Sequence, residues 1–300
     1  MIRWRLFCSL VAAFLYARPA YSEEQKNCQL ARFSEIPITT LPDGRFTVPI
    51  TLEGHALNFL VDTGGASATI SQDQAFNLNL PSMSTTRELG GVAGLKLSTF
   101  ATIRKVSLGG LEGNNLDFYI DPAMPSGADG TLAPDMMKHF DVDLDLVRGK
   151  LNLISQNHCK GQVVYWTKTG YVALPMKVVS DGHIQVPVTV DGVKFKALLD
   201  TGARSSIMSM NAAKSLGITE KSLALKPVTD KDDRYQVYDY PFKQLDFDGI
   251  TVTTPHIQVA SDRFLPGDDD MIIGIRILRR LHLYIAYGEE KLYITPASAN

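Results

Sequence analysis

The stretch Phe59-Leu60-Val61-Asp62-Thr63-Gly64 recurs 138 residues later as Ala197-Leu198-Leu199-Asp200-Thr201-Gly202. In both copies, a run of apolar residues typical of a buried strand ends in Asp-Thr-Gly. One such tripeptide is a weak signal, because a string of three residues arises by chance. Two copies at equivalent positions of a repeat are a strong signal, and they decide the fold.

The repeat extends well beyond these two motifs. Residues 36–70 align without gaps on residues 174–208, with 12 identities in 35 positions, and two later segments match at slightly larger offsets. A repeat with an offset of 138 residues that occurs only twice indicates two homologous lobes, because solenoid repeats have periods of about 20 to 50 residues. The predicted parts are an N-terminal arm (23–30), lobe 1 (31–156), a linker (157–170) and lobe 2 (171–297).

Both lobes are predicted to be mainly β. Short alternating or fully apolar runs are broken by Asp-Gly, Glu-Gly and Gly-Gly, which is typical of strands and hairpins. Two short helices are expected, one after the capping-box start Ser71-Gln72-Asp73-Gln74 and one within 134–139. Residues 141–146 are interpreted as a strand with Val and Leu inward, because a calcium loop needs Gly and Glu at positions where they are missing here. Residues 163–166 are a candidate strand between the lobes.

The two Asp residues of the repeat predict acid–base chemistry. A carboxylate at the end of a buried strand is costly unless another group pairs with it or uses it. If the lobes pack about a pseudo-twofold axis, Asp62 and Asp200 meet at that axis. Two carboxyl groups at hydrogen-bond distance share one proton, so that one serves as a general base on water and the other as an acid.

These motifs resemble the active-site loops of the aspartic proteases. A second element of that family, an apolar pair followed by Gly and a short helix, is matched by residues 271–278 and, with Ala133 in place of Gly, by residues 130–137. The lobes are shorter than those of pepsin, so the chain is more similar to a retropepsin subunit duplicated and fused into one chain. The resemblance implies two closed-barrel-like lobes and an aspartic-type endopeptidase. It also implies catalytic residues Asp62 and Asp200, supported by Thr63, Gly64, Thr201 and Gly202.

Two further properties are expected of the active-site loops. Gly64 and Gly202 are expected to allow tight turns with positive φ. Pepsin-like sequences often have Ser directly after Asp-Thr-Gly, whereas this chain has Gly65 and Ala203. Because fewer donors to a carboxylate raise its pKa, we predict a pH optimum that is mildly rather than strongly acidic.

The family also closes a glycine-rich hairpin flap over its substrate. The candidate residues here are Gly90, Gly91, Val92 and Gly94, which lie between two strand-like runs of lobe 1. The corresponding region of lobe 2, Ser222 to Leu245, has no Gly, so one functional flap is expected, on lobe 1. An ordinary surface loop is the alternative.

The N-terminus has the layout of a secretory signal peptide, with a basic start, an apolar stretch and small residues before Glu23. An uncleaved anchor is the alternative, although the apolar stretch is shorter than the roughly 20 residues that span a bilayer. We therefore expect residues 1–22 to be removed and the protein to be secreted or periplasmic, with no stable membrane insertion. In such an oxidising compartment Cys28 and Cys159 are expected to form a disulfide, with two unrelated thiols as the alternative.

Other classes of function are set aside. A formal net charge of −2, without a long Lys/Arg block, argues against nucleic acid binding. The six histidines have no zinc-ligand spacing, so they are expected to be structural or at the surface, and we predict no metal and no cofactor. The chain is therefore interpreted as a monomeric, exported aspartic endopeptidase that acts on peptide or protein segments. A non-catalytic protease-like module that binds such segments is the alternative.

Overall fold

The computed structural model describes residues 28–90, 96–179, 182–219, 228–229, 236–260 and 268–297. The predicted signal peptide therefore lies outside the described residues. The strands of the first half are β1 (Arg32–Pro37), β2 (Thr39–Thr40), β3 (Phe46–Leu52), β4 (His55–Val61), β5 (Thr69–Ser71), β6 (Ser82–Gly90), β7 (Lys96–Ile103), β8 (Val106–Leu108), β9 (Leu111–Gly113), β10 (Leu116–Asp121), β11 (Gly130–Leu132), β12 (Asp141–Asp145) and β13 (Lys150–Ile154).

The second half repeats this series of strands. They are β14 (Val172–Pro175), β15 (Lys177–Val178), β16 (Ile184–Val190), β17 (Val193–Asp200), β18 (Ser206–Ser209), β19 (Val228–Thr229), β20 (Gln236–Asp239), β21 (Gln244–Asp246), β22 (Thr251–Thr253), β23 (Ile257–Ala260), β24 (Met271–Gly274), β25 (Leu281–Ala286) and β26 (Lys291–Pro296). Four short helices complete the elements: α1 (Gln72–Asn77), α2 (Pro134–Met137), α3 (Met210–Lys214) and α4 (Ile275–Leu278).

Each half forms one ten-stranded sheet, and the two sheets have the same strand order. The first sheet runs β6-β7-β10-β5-β11-β4-β3-β8-β9, with β2 pairing β3. The second runs β19-β20-β23-β18-β24-β17-β16-β21-β22, with β15 pairing β16. Every strand of one sheet therefore has a counterpart in the other, and the prediction of a mainly β fold with two homologous lobes is confirmed.

A third sheet joins the two halves. Its order is β1-β13-β12-β25-β26-β14, with three strands from each half. The central pair, β12 and β25, crosses between the halves and is antiparallel. Reading the order backwards exchanges each strand with its counterpart, which is the arrangement that a pseudo-twofold axis through the centre produces.

The apolar core follows from alternating burial along the strands. The equivalent strands β3 and β16 have identical burial patterns, with Pro49 and Pro187 exposed at the same position. Phe59 and Phe118 are fully buried and meet edge to face, with ring centroids 5.9 Å apart. Burial of a ring of this size contributes roughly 1.5–3 kcal/mol. The core cluster includes residues of both lobes and of the joining sheet.

The helices begin where local sequence dictates. Ser71 caps α1 by accepting a hydrogen bond from the Gln74 backbone N–H at 3.1 Å, which confirms the predicted capping start. Ser209 caps α3 in the same way. Pro134 opens α2, because proline has no N–H and the first turn of a helix leaves that group unbonded.

The expectation for strand β12 was only half right. Its apolar residues are buried as predicted, but its three aspartates are buried as well. Asp143 accepts a hydrogen bond from Asn152 at 2.9 Å and lies 2.5 Å from Nε2 of His282, while Asp141 lies 2.7 Å from Nε2 of His158. Alternation alone indicated one solvated face, because it cannot show that another segment covers that face.

The covering segment is the linker. Residues 163–166 form no strand, contrary to the sequence-based expectation. Instead Trp166 stacks on the ring of His282, with centroids 4.4 Å apart, and Val163 is fully buried. The linker thus packs against the outer face of the joining sheet and closes off its buried Asp–His pairs. His158 and His282 are structural, as expected for the histidines.

A disulfide joins Cys28 to Cys159, and the predicted pairing is confirmed. The two residues are 131 positions apart, so the bond closes a loop that contains all of strands β1 to β13. Within the described ranges, no helix is both long and apolar enough to cross a membrane.

Candidate active site

The two Asp-Thr-Gly motifs follow equivalent central strands. Asp62 comes directly after β4, and its N–H donates to the carbonyl of Leu132 at 3.0 Å. Asp200 is the last residue of β17, opposite Gly274 of the parallel strand β24. Each of these strands has a parallel neighbour on one side and an antiparallel neighbour on the other, so each carboxyl group lies at the end of a strand in the middle of its sheet.

The two carboxyl groups meet between the lobes and share a hydrogen bond. The glycines of the motifs make this approach possible, because each faces the carboxyl group of the opposite lobe. A methyl group built on Gly64 would lie 2.5 Å from Oδ2 of Asp200, and one on Gly202 would lie 2.5 Å from Oδ1 of Asp62.

This geometry corrects the reason given for the two glycines. Neither Gly64 nor Gly202 has a positive φ, so the expected left-handed turn is wrong. Glycine is required instead because a side chain at either position would occupy the space of a carboxyl group. The sequence indicates that glycine is needed at these two positions, but it does not show that a carboxyl group of the opposite lobe lies against each of them.

Burial and mutual repulsion raise the pKa values of the pair. Burial raises the pKa of Asp200 well above its usual range, and the negative charge of Asp62 raises it further. Burial also raises the pKa of Asp62, but the hydrogen bond from Asp200 and the Gly64 N–H, which donates to Oδ1 of Asp62 at 2.9 Å, oppose the rise. Because both pKa values are raised and the two groups repel each other when charged, the pair holds one shared proton.

Reciprocal hydrogen bonds of two buried threonines lock the loops together. The Thr63 hydroxyl donates to the carbonyl of Leu199 at 2.7 Å and accepts from the Thr201 N–H at 3.1 Å. The Thr201 hydroxyl donates to the carbonyl of Val61 at 2.7 Å and accepts from the Thr63 N–H at 3.1 Å. Each hydroxyl thus satisfies two buried backbone groups of the opposite lobe, which holds the carboxyl groups in register.

The sequence profile of the aspartyl proteases matches the chain twice, at residues 48–135 and 186–277. The chain belongs to the aspartyl protease family. No curated protein sequence matches it significantly. Among solved structures, 424 chains are significantly similar to it. One of these is basic 7S globulin from soybean, with 9% sequence identity and a TM-score of 0.54 over 89% of this chain and 96% of the globulin chain. Because the identity is so low, this likeness shows the fold alone.

One departure of this aspartyl protease from the family pattern has a local explanation. In lobe 2, a methyl group on Gly274 would lie 2.6 Å from the carbonyl oxygen of Ser205, so alanine does not fit there. The lobe 1 counterpart is Ala133, which lies opposite Gly65; a methyl group built on Gly65 would be 3.4 Å from the Ala133 methyl, which is ordinary van der Waals contact. Lobe 1 therefore has room at position 133 for the methyl group that position 274 of lobe 2 cannot hold.

Sequence reasoning missed an arginine beside the loop of lobe 2. Arg45 donates from Nη1 to the carbonyl of Gly202 at 3.3 Å and from Nη2 to Asp43 at 2.6 Å. Although burial alone would raise it, these hydrogen bonds hold the pKa of Asp43 below its usual value. The repeat places His183 at the equivalent position, where its positive charge partly opposes the rise that burial causes in the pKa of Asp62. In the sequence, the signal for these two residues is that basic side chains, Arg45 and His183, stand at equivalent positions of the repeat.

The flap candidates are only partly described. Strands β6 and β7 form an antiparallel hairpin in which Gly90 pairs with Lys96. Gly91, Val92 and Gly94 lie outside the described residues, so the flap stays a prediction. The equivalent strands of lobe 2, β19 and β20, also pair antiparallel. In the part of the chain that the structure describes, no group of three or more His, Cys, Asp or Glu residues is arranged to hold a metal ion.

Proposed function

We propose that this aspartyl protease is an active endopeptidase that hydrolyses peptide bonds with Asp62, Asp200 and a water molecule. The observation that carries the proposal is the hydrogen-bonded carboxyl pair, one member from each lobe, with the pKa of Asp200 raised well above its usual range. An acid that keeps its proton beside a carboxylate that lacks one is the protonation state that this reaction requires.

In the first step, Asp62 takes a proton from water as the water oxygen attacks the carbonyl carbon of the peptide. Asp200 gives its proton to the carbonyl oxygen, so that a neutral diol forms and no charged oxygen has to be stabilised. In the second step, Asp62 passes its new proton to the amide nitrogen while Asp200 recovers a proton from a diol hydroxyl. The C–N bond then breaks, and the pair returns to its starting state with one shared proton.

The proposed substrate is an extended peptide or protein segment bound between the lobes across the carboxyl pair. Both halves of the catalytic site belong to one chain, which supports activity as a monomer. Export is proposed from the N-terminal pattern of residues 1–22, and the Cys28–Cys159 disulfide supports it, because disulfides persist in oxidising compartments. No resident metal or cofactor is proposed, because the carboxyl pair suffices for the chemistry.

We also propose a mildly acidic pH optimum, because fewer hydrogen-bond donors to a carboxylate raise its pKa. The residues after each motif, Gly65 and Ala203, have no hydroxyl group. Backbone N–H groups donate to the two carboxyl groups instead, that of Ala203 reaching Asp200 at 2.8 Å. A pH–rate profile with its maximum below pH 3 would contradict this part of the proposal.

The test is incubation of the purified protein with a mixed peptide library between pH 3 and pH 7, followed by mass spectrometry of the products. Asp62→Asn is the test variant, and Asp73→Asn, which changes an exposed carboxylate, is the matched control. We expect cleavage by the wild type and by Asp73→Asn but not by Asp62→Asn. A folded wild type that binds peptides without cutting them would instead identify a binding module.

A further inference from the structure

The two lobes hold their catalytic loops with different bonds. In lobe 2, the Ile275 N–H donates to the carbonyl of Ala203 at 2.8 Å. The Gly274 N–H donates to the hydroxyl of Ser206 at 3.0 Å. These two bonds tie the loop that follows Asp200 to the junction of β24 and α4.

Neither of these bonds is possible in lobe 1. The counterpart of Ile275 is Pro134, which has no N–H to donate. The counterpart of Ser206 is Ala68, which has no hydroxyl to accept. The loop that follows Asp62 therefore needs another attachment to the junction of β11 and α2.

Asp135 provides that attachment. Its Oδ2 atom accepts hydrogen bonds from the Ser67 hydroxyl at 2.8 Å and from the Ala68 N–H at 2.9 Å. Its Oδ1 atom accepts from the Met136 N–H at 2.9 Å, which orients the carboxylate at the start of α2. The counterpart in lobe 2 is Arg276, an exposed residue of opposite charge, so this bracing is specific to lobe 1.

We propose that Asp135 is a positioning residue for Asp62. Asp135 binds the C-terminal end of the segment 62–68 through Ser67 and Ala68, whereas Asp62 and Gly64 lie at the N-terminal end of this segment. The Gly64 N–H donates to Asp62, and Gly64 packs so closely against the carboxyl group of Asp200 that even a methyl group would not fit between them. A displacement of this segment therefore changes the relation between the two carboxyl groups. Because a shift of about 1 Å in a reacting group costs about 100-fold in rate, the loss of this brace lowers kcat.

The proposal rests on the proposed endopeptidase function, and three variants separate its elements. Asp135→Ala removes all three hydrogen bonds. Asp135→Asn keeps an acceptor oxygen for Ser67 and Ala68 but loses the acceptor for the Met136 N–H and the negative charge. Ser67→Ala removes one bond and is less disruptive to folding. Arg276→Ala is the matched control at the equivalent position of lobe 2.

The experiment measures kcat and KM on one peptide that the wild type cleaves, together with amide hydrogen exchange. For Asp135→Ala, we expect kcat to fall about 10- to 100-fold while KM changes less than about threefold. Asp135→Asn is expected to recover most of this loss, Ser67→Ala to show a smaller fall, and Arg276→Ala to match the wild type. Exchange at the amides of residues 64–68 is expected to quicken in Asp135→Ala alone.

Two results would overturn the proposal. One is a kcat for Asp135→Ala equal to that of Arg276→Ala. The other is an Asp135→Asn variant as impaired as Asp135→Ala, which would show that the hydrogen bonds to Ser67 and Ala68 do not position Asp62. A wild type without any cleavage would refute the endopeptidase function separately, and unchanged exchange at residues 64–68 would then refute the brace itself.

Discussion

The substitution Gly64→Ala tests whether the two lobes bring their carboxyl groups together. The added methyl would lie 2.5 Å from Oδ2 of Asp200, whereas a carbon and an oxygen in contact stay about 3.3 Å apart. The loop or the carboxyl group must therefore move by about 1 Å. The backbone itself imposes no penalty, because φ at Gly64 is not in the left-handed region. The whole effect thus comes from the contact with the opposite lobe.

The size of the effect follows from that displacement. A reacting group misplaced by about 1 Å loses about 100-fold in rate, which corresponds to about 2.7 kcal/mol of transition-state stabilisation. The assay is kcat/KM on one peptide substrate, with thermal unfolding to show that the variant is folded. Gly170→Ala is the matched control, because a methyl group there has no atom within 4 Å. A folded Gly64→Ala variant with kcat/KM within about threefold of the wild type would refute the apposition of the loops.

Three further predictions concern stability. Replacing both Cys28 and Cys159 with Ser is expected to lower the free energy of unfolding by about 5 kcal/mol, since the bond closes a loop of 131 residues; a change below about 1 kcal/mol in chemical denaturation would contradict this. The raised pKa of Asp200 means that its contribution to stability is complete below its unfolded pKa and is lost as the pH rises through the folded pKa. Asp200→Asn is therefore expected to raise the melting temperature at pH 8 but not at pH 3, and an equal change at both would count against the raised pKa. Thr63→Val leaves two buried backbone groups unpaired and is expected to cost about 2–5 kcal/mol in chemical denaturation, whereas Thr63→Ser keeps the hydroxyl and is expected to cost much less; equal losses would refute the role of the hydroxyl.

The duplication made the fold and the carboxyl pair predictable. Two lobes with the same series of strands pack symmetrically, so the sequence alone predicts that Asp62 and Asp200 meet. The capping box at Ser71 was equally readable, because it depends only on neighbouring residues. What is repeated or local in the chain was therefore accessible from the sequence.

Features that depend on contact between distant segments were not accessible. The buried face of β12 depends on the linker that covers it, and periodicity within β12 cannot show this cover. The need for glycine at position 64 arises from a carboxyl group in the other lobe. The brace at Asp135 replaces a bond that Pro134 cannot make, and its partners lie 67 and 68 residues away. Such relations follow from the three-dimensional packing of particular side chains.

Asp62 and Asp200 are proposed to act as one catalytic unit. The most direct test is kcat/KM on one cleaved peptide for Asp62→Asn, Asp200→Asn and the double variant. Residues that act as a unit have non-additive effects, so each single variant is predicted to lose as much activity as the double variant. Substantial activity in either folded single variant, or losses that add in the double variant, would contradict the shared carboxyl pair.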